Sequence, residues 1–342
     1  MTTSDFGDER APVGTLERAT AADARAVREA AAAVRANVGR VIVGKDTAID
    51  LLFVTLLSEG HALIEDVPGL GKTVMAKSLA RSLDLTFARI QGTADLLPSD
   101  VTGVSYFSQK LSEFEFRPGP VFANIVLADE INRATPRTQS SLLEAMQERQ
   151  VTVDGQTMPL PRPFLLVATQ NPIELEGTFP LPEAQLDRFL IRLRVAYPSL
   201  DDERAMLYRF KLTQPLDTLA PVLRAADLLR LLPVVRAIHV AEPVADYLLR
   251  IVRETREHPA VELGASPRAA LALFRAAQAR AAIEGRTFVK PDDVKRLAQP
   301  VLAHRLLVTA QTRLRGQSAE QVVQSIVDKT PVPVEDLGDE RR

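Results

Sequence analysis

The sequence has no cysteine and no tryptophan, and only four histidines, at positions 61, 239, 258 and 304. Without thiols there are no disulfides, thiolate metal sites, Fe–S clusters or cysteine nucleophiles. The histidines are scattered with no ligand spacing, which argues against a His-based zinc site. An excess of one charge is also missing: 42 Lys+Arg face 44 Asp+Glu, for a formal net charge of −2. General attraction to nucleic-acid phosphates is therefore not a property of the whole chain, although a local basic patch stays open. Long apolar runs are lacking too. Residues 49–57 carry Asp50 and stop at Ser58-Glu59-Gly60, far short of the ~20 residues of a membrane span. Residues 1–10 are acidic and have no apolar segment of the kind a secretory signal needs. The expectation is a soluble, cytoplasmic protein without stable membrane insertion. What is present is 46% hydrophobic and 25% charged residues over 342 positions, enough for a real core and for two domains.

Residues 1–14 are polar and read as a disordered tail. Residues 15–38 read as an amphipathic helix, with Leu16, Ala19, Val27, Ala30, Val34 and Val38 near one face. Short apolar runs at 61–65, 86–90, 124–128 and 164–169 lack clean alternation, as strands covered on both faces do. Helical patterns at 45–57, 72–83, 136–149 and 183–187 lie between them, the third opened by Thr135 and Pro136. Two alternating segments interrupt this α/β rhythm. Residues 104–117 read as a hairpin around Gln109-Lys110, and 150–160 as a hairpin around Asp154-Gly155. Beyond Pro198 the pattern turns helical, with segments at 201–211, 222–232, 243–257, 266–284 and 291–307 and glycines only at 264, 285 and 316 up to Leu337. The expected plan is an α/β core with a parallel sheet over 15–198, a small all-helical lid over 199–310, and a C-terminal helix and tail over 311–342.

The strongest chemical signal is Glu65-Asp66-Val67-Pro68-Gly69-Leu70-Gly71-Lys72-Thr73. A strand enters a Gly-rich turn, and Lys-Thr opens a helix at Val74, as a phosphate-binding loop requires. Gly69 and Gly71 let backbone N–H groups turn inward, and the helix N-terminus adds partial positive charge. Lys72 would reach the β and γ phosphates, and the Thr73 hydroxyl would ligate Mg²⁺. The first glycine of the usual pattern is replaced by Asp66. A second signal is the apolar run 124–128 ending in Asp129-Glu130: Asp129 can hold Mg²⁺ and Glu130 can orient and polarise a water. A third strand ends in Thr169-Gln170-Asn171-Pro172, where Asn171 could bond a γ phosphate or the water. Arg188, in Leu186-Asp187-Arg188-Phe189, could reach a neighbouring subunit's γ phosphate. Arg268 sits in the first turn of a lid helix, where its charge opposes the helix dipole and hints at another use. Together the residues support ATP binding and hydrolysis coupled to motion between core and lid.

These motifs resemble the AAA+ ATPases, and more closely the MoxR family, over about residues 25–310. The resemblance rests on residues 65–73, on Asp129-Glu130-Ile131-Asn132-Arg133-Ala134, on residues 138–146, on Ala168-Thr169-Gln170-Asn171-Pro172 and on residues 181–189. The acidic Asp66 and both hairpins fit that family; the hairpins look like its helix-2 insert and its pre-sensor-1 hairpin. The resemblance implies ATP and Mg²⁺ as cofactors. It makes Asn171 sensor 1, Arg188 the arginine finger and Arg268 sensor 2, with Arg133, Arg137 and Arg149 as other candidates for interface arginines. Val43-Gly44 resembles the stretch that contacts adenine, and the residues 66 and 68–74 the loop that holds the phosphates. It further implies a ring, usually a hexamer, a chaperone-like role and a partner carrying a von Willebrand factor A domain. The alternatives are the motor subunit of a metal chelatase, which would share every nucleotide residue, and a DNA-linked motor, which the balanced charge disfavours. On residues alone, Phe107, Phe114 and Phe116 are too apolar for full solvation. They suggest that the first hairpin faces a pore or partner, unless it packs on its own core.

Overall fold

The computed structural model describes residues 18–65, 69–110, 112–171, 177–211 and 214–333. The first helix, α1 (Ala21–Gly39), starts later than the hydrophobic pattern suggests. Thr20 closes a capping box with Asp23, and the Ala19 N–H is engaged by the Ala237 carbonyl. The stretch 15–17 of the expected helix, and the polar tail before it, lie outside the described residues. After α1 come α2 (Asp46–Leu57), β1 (Ala62–Glu65), α3 (Lys72–Ser82), β2 (Phe87–Gln91) and the short α4 (Pro98–Thr102). The first hairpin follows as β3 (Gly103–Ser108) and β4 (Glu113–Pro118), then β5 (Ile125–Asp129) and α5 (Pro136–Glu148). The second hairpin is β6 (Gln150–Val153) and β7 (Gln156–Pro159), with Asp154 and Gly155 both at positive φ in the turn. The core closes with β8 (Leu165–Gln170), α6 (Glu183–Leu186) and β9 (Ile191–Leu193).

Five strands form one parallel sheet in the order β2-β5-β8-β1-β9. Its four longer strands are those the unalternated runs indicated, and β5 and β8 are buried along nearly their whole length. The fifth, β9, went unseen in the sequence: only three of its residues pair, and Arg192 and Arg194 interrupt the apolar run. All strand starts share one edge of this sheet, and all strand ends share the other.

The second half begins with α7 (Leu200–Arg209) and α8 (Ala225–Arg236). The latter starts three residues late because Val222 and Leu223 donate to the Ser82 carbonyl at the end of α3, holding that stretch out of a helix. Then follow α9 (Glu242–Glu257), β10 (Val261–Leu263), α10 (Pro267–Ile283), α11 (Pro291–Leu302), β11 (Leu307–Val308), α12 (Ala310–Leu314) and α13 (Ala319–Lys329). The lid is therefore not wholly helical. β10 and β11 make a two-stranded antiparallel ribbon, too short to leave a periodic signature. The helix expected over 291–307 stops at Leu302, where a 3₁₀ turn over Ala303–Arg305 re-aims the chain. The helix α1 packs on α10 and α8 as well as on α2 and α3, so one apolar core runs from the sheet's β1 side into the lid. Arg35 and Arg280 meet at Asp50, at 2.6 and 3.5 Å, which ties α1, α2 and α10 together. No described helix is long and apolar enough to cross a membrane.

Candidate nucleotide site and its distant arginines

The loop between β1 and α3 turns on two glycines at positive φ, Gly69 (+87°) and Gly71 (+79°). A Cβ at Gly69 would meet nothing within 4 Å, so conformation and not space demands glycine there. Gly71 is the N-cap of α3 and offers no side chain to the helix, and no acidic residue sits in the first turn. The first N–H groups of α3 are therefore suited to an anion. Lys72 and Thr73 begin that helix, half-buried. Asp66 and Pro68 lie outside the described residues.

A cavity of about 200 Å³ opens beside this loop. Val43, Gly69, Leu70, Gly71 and Val74 line it. Pro198 and, from α7 and its C-cap, Met206 and Phe210 close its other wall. Those last residues carry no motif and were missed. The apolar walls next to a phosphate-type loop suit a purine base. Gly44 is not on this lining. It adopts φ +69°, lines a neighbouring cavity of about 440 Å³, and has the Asp202 carboxylate where a Cβ would stand.

Asp129 ends β5 and Glu130 follows it, next to β8 and one strand from β1. Asp129 Oδ1 accepts a 2.6 Å bond from Thr169 Oγ1, and Oδ2 accepts from Arg89 Nε and Nη2 at 3.1 and 2.6 Å. Glu130 takes a left-handed backbone (φ +55°) and donates its N–H to Thr169 Oγ1 at 2.8 Å. One hydroxyl thus fixes both members of the acidic pair. Glu130 Oε2 accepts from Gln91 Nε2 at 2.9 Å and pairs with Arg133 Nε at 3.2 Å. Gly92 must be glycine, because a Cβ there would lie 2.1 Å from the Glu130 carbonyl oxygen. Arg89, Gln91 and Gly92 were not legible as site residues: they sit on or just past the partner strand, about forty positions from the acids they adjoin. Asn171 follows β8 directly and is buried. The phosphate-type loop, the acidic pair and Asn171 therefore leave three adjacent strands at the same edge of the sheet.

A Mg²⁺ ion takes hard oxygen donors, and Asp129 and Thr73 supply a carboxylate and a hydroxyl. The Asp129 carboxylate is already oriented by Thr169 and Arg89, the outer bonds that a ligating carboxylate needs. The donor set fits that ion.

Arg188 and Arg268 lie elsewhere. Leu190, two residues past Arg188, donates its N–H to the carbonyl of His61, the residue before β1 starts. Arg188 is thus at the edge where strands begin, opposite to Lys72, and its Nη1 donates to the Leu143 carbonyl at 3.3 Å. Arg268 stands beside it, 3.8 Å from Asp187. Lys72, Arg188 and Arg268 of one chain therefore do not surround a single phosphate group.

The Arg188 segment is clamped by the lid. Arg305, with its side chain 2% exposed, donates to Asp187 Oδ1 (2.8 Å) and to the carbonyls of Asp187 (3.2 Å), Phe189 (2.6 Å), Leu190 (3.3 Å) and Val301. Burial lowers the Arg305 pKa to about 10, while the Asp187 carboxylate acts to keep its charge. His304 donates Nε2–H to the Phe189 carbonyl at 3.0 Å, and burial drives its pKa well below the usual range. Ser266 Oγ also reaches Asp187. Of the other arginines considered, Arg149 is committed within the chain. It bonds the Glu59 carboxylate at 2.7 Å, which Arg162 and Arg236 share.

In the first hairpin the aromatic residues divide. Phe107 and Phe114 pair edge to face at 5.4 Å in solvent, Phe114 being 75% exposed. Phe116, expected to project with them, instead packs on Phe122 at 5.7 Å.

A phosphate-type loop turning on Gly69 and Gly71, an acidic strand end and a 5-stranded parallel sheet with a lid define an AAA+ ATPase. Residues 61–191 match the model of the ATPase family associated with various cellular activities, and residues 253–326 match the AAA lid domain. The chain is 44% identical to chaperone MoxR1 of Mycobacterium tuberculosis, across 87% of this chain and 81% of that one. It is 50% identical to the uncharacterised protein YeaC of Bacillus subtilis, across 87% of this chain and 93% of that one. A crystal structure from Cytophaga hutchinsonii, described as a candidate ATPase, superposes with a TM-score of 0.86 at 37% identity, covering 92% of this chain and 98% of that one. The chain belongs to the MoxR family of AAA+ ATPases.

Proposed function

We propose that the chain binds ATP at the strand-end edge, hydrolyses it to ADP and phosphate within a ring of its own copies, and uses the cycle for chaperone-like remodelling of a partner protein. One observation carries this reading: the candidate site is divided. Lys72, Thr73, Asp129, Glu130 and Asn171 share one edge of the sheet, while Arg188 and Arg268 occupy the opposite edge. Two cations so placed serve a triphosphate only if it belongs to a neighbouring copy, as in a head-to-tail ring.

The backbone N–H groups around Gly69 and Gly71 hold the phosphates, and Lys72 neutralises the β and γ groups. Val43, Met206 and Phe210 hold the base. Thr73 and Asp129 would hold Mg²⁺, which when bound supplies positive charge to the phosphate oxygens. Glu130 orients the attacking water and polarises it, with Gln91 and Arg133 fixing its carboxylate. Asn171 supplies a side-chain amide beside the γ phosphate. Arg188 and Arg268, from the next copy, add charge where the transition state gains it. The chaperone role follows the name of the mycobacterial relative, and a partner with a von Willebrand factor A domain follows the family resemblance. The exposed Phe107–Phe114 pair is the surface this reading offers to a client.

The test is paired. Lys72→Ala should lose ATP binding, read by calorimetry. Glu130→Gln should bind ATP as the wild type does and hydrolyse it about 10²–10⁴-fold more slowly. Wild-type turnover in Glu130→Gln would remove that residue from the chemistry.

A further inference from the structure

The C-terminal helix α13 packs on α9 and α11 of the lid and buries Val322, Val323, Ile326 and Val327. Its second residue, Glu320, crosses instead to the core. Glu320 Oε1 accepts from Arg192 Nη2 at 2.6 Å and pairs with Arg194 Nη2 at 2.8 Å, the one on β9 and the other just past it. Arg192 Nη1 in turn lies 3.1 Å from Glu65 Oε2. Three charged side chains, Glu65, Arg192 and Glu320, are thus held together at only 14–17% exposure. Glu65 is the last residue of β1, directly before the chain that leads into the glycine turn.

The strand register explains what this bridge replaces. β9 pairs with β1 at Ala62, Leu63 and Ile64 and goes no further, while β8 continues to Glu65. On the β9 side, the strand's last residue before the phosphate-type loop is therefore held by the Arg192 side chain and not by a backbone ladder. A guanidinium suits that task, because its planar fork of donors can serve two carboxylates at once. Glu320 alone has a simpler explanation, since an acid in the first turn of a helix favours the dipole. That explanation does not require Glu320 to meet Arg192, nor Arg192 to reach Glu65. Arg192, Arg194 and Glu320 also line the cavity of about 440 Å³ that Gly44 borders. Free space on that side lets Glu320 withdraw without opening a void in the packed core.

We propose that Glu320 is a positioning residue for ATP binding: through Arg192 it holds Glu65, and with it the entry to the phosphate-type loop, so that the seating of α13 sets the affinity for ATP. The proposal rests on the reading that the loop at Gly69–Thr73 holds ATP. Its direction is opposite to that of simple electrostatics. Removing the Glu320 charge makes the neighbourhood more positive, which by itself would tighten the hold on an anion. Losing a preorganised loop weakens it.

The test measures ATP affinity by calorimetry on the full-length chain. Glu320→Gln should raise the Kd for ATP about tenfold, the size of one broken coupling. Turnover at saturating ATP should stay within about twofold of the wild type, because the loss is one of binding. Glu65→Gln should weaken binding in the same way. The double variant Glu320→Gln/Glu65→Gln should bind no worse than the weaker single one, because both substitutions break the same chain of contacts. Unchanged or tighter binding in Glu320→Gln, or losses that multiply in the double variant, overturn the proposal. Arg192→Lys guards against a folding failure of Glu320→Gln: it keeps the charge on β9, loses the fork, and should weaken ATP binding in the same direction. Wild-type affinity in Arg192→Lys also overturns the proposal. A failure of the underlying reading looks different, since Lys72→Ala would then bind ATP as the wild type does.

Discussion

The two edges of the central sheet are built in different ways. At the strand-end edge, each functional group follows its own strand within a few residues: the glycines and Lys72 after β1, Asp129 and Glu130 at β5, Asn171 after β8. At the strand-start edge, Arg188 owes its position to residues more than a hundred places away. Arg305 and His304 from the lid bind Asp187, the Phe189 carbonyl and the Leu190 carbonyl, while Arg188 itself leans on Leu143. The first edge is a local property of strand–turn–helix segments. The second is a property of how the lid seats on the core. Motion of the lid therefore has a direct mechanical route to Arg188, and a second one to the end of β1, where Arg192 bridges Glu320 of α13 (2.6 Å) and Glu65 (3.1 Å).

The comparison can be broken at several points. The largest effect is expected at Arg188. Arg188→Ala should retain ATP binding and lose roughly 10³-fold or more in turnover, the range of a missing arginine finger. Equal loss of binding would mean that the residue supports the fold instead. Next is Arg305→Met, which leaves Asp187 without its main buried partner. A loss of about 3–5 kcal/mol in unfolding free energy is expected for breaking a buried pair, read by denaturant titration. A loss under 1 kcal/mol would show that the clamp is replaceable.

A third point is pH. His61 lies under the sheet edge, donating Nε2–H to the Met146 carbonyl and accepting at Nδ1 from the Leu166 N–H. Burial, with help from Arg149, lowers its pKa from 6.5 to about 3. The unfolded chain therefore binds more protons between those values, so stability is full above pH 6.5 and falls as pH drops toward 3. His304 acts in the same direction. A thermal melt series from pH 7 to 4 should show falling Tm, and His61→Asn should flatten the slope. An unchanged slope would contradict the neutral buried imidazole. The smallest effect is expected in the first hairpin. Phe114→Ser should shift stability by only about 0.5 kcal/mol and leave basal ATPase intact, while weakening partner coupling. Loss of folding would instead assign Phe114 to the core.

The contrast between the edges also explains what could be read from the chain. Four strands were visible because both their faces are buried, and the loop, Asp129, Glu130 and Asn171 because each motif is contiguous. Asp154-Gly155 announced its hairpin for the same local reason. What escaped depends on distant pairing. Arg89 reaches Asp129 from the adjacent strand, Met206 and Phe210 complete a cavity from more than 130 positions past the loop, and Arg305 is one arginine among 34 until the fold seats it on Asp187. The strands β9, β10 and β11 are two or three residues long and carry no period to detect. Phe116 shows the limit within a motif: alternation put it with Phe114, but the packing gave it to Phe122.

The central claim is that one copy's strand-start arginines complete the next copy's strand-end site. Mixing inactive Glu130→Gln and Arg188→Ala chains tests it most directly. In randomly mixed rings about a quarter of the interfaces join an intact Glu130 to an intact Arg188. Steady-state ATPase should therefore recover toward roughly that fraction of wild type in a 1:1 mixture. Activity that stays at the level of the separate variants, although the chains co-assemble, would contradict the account.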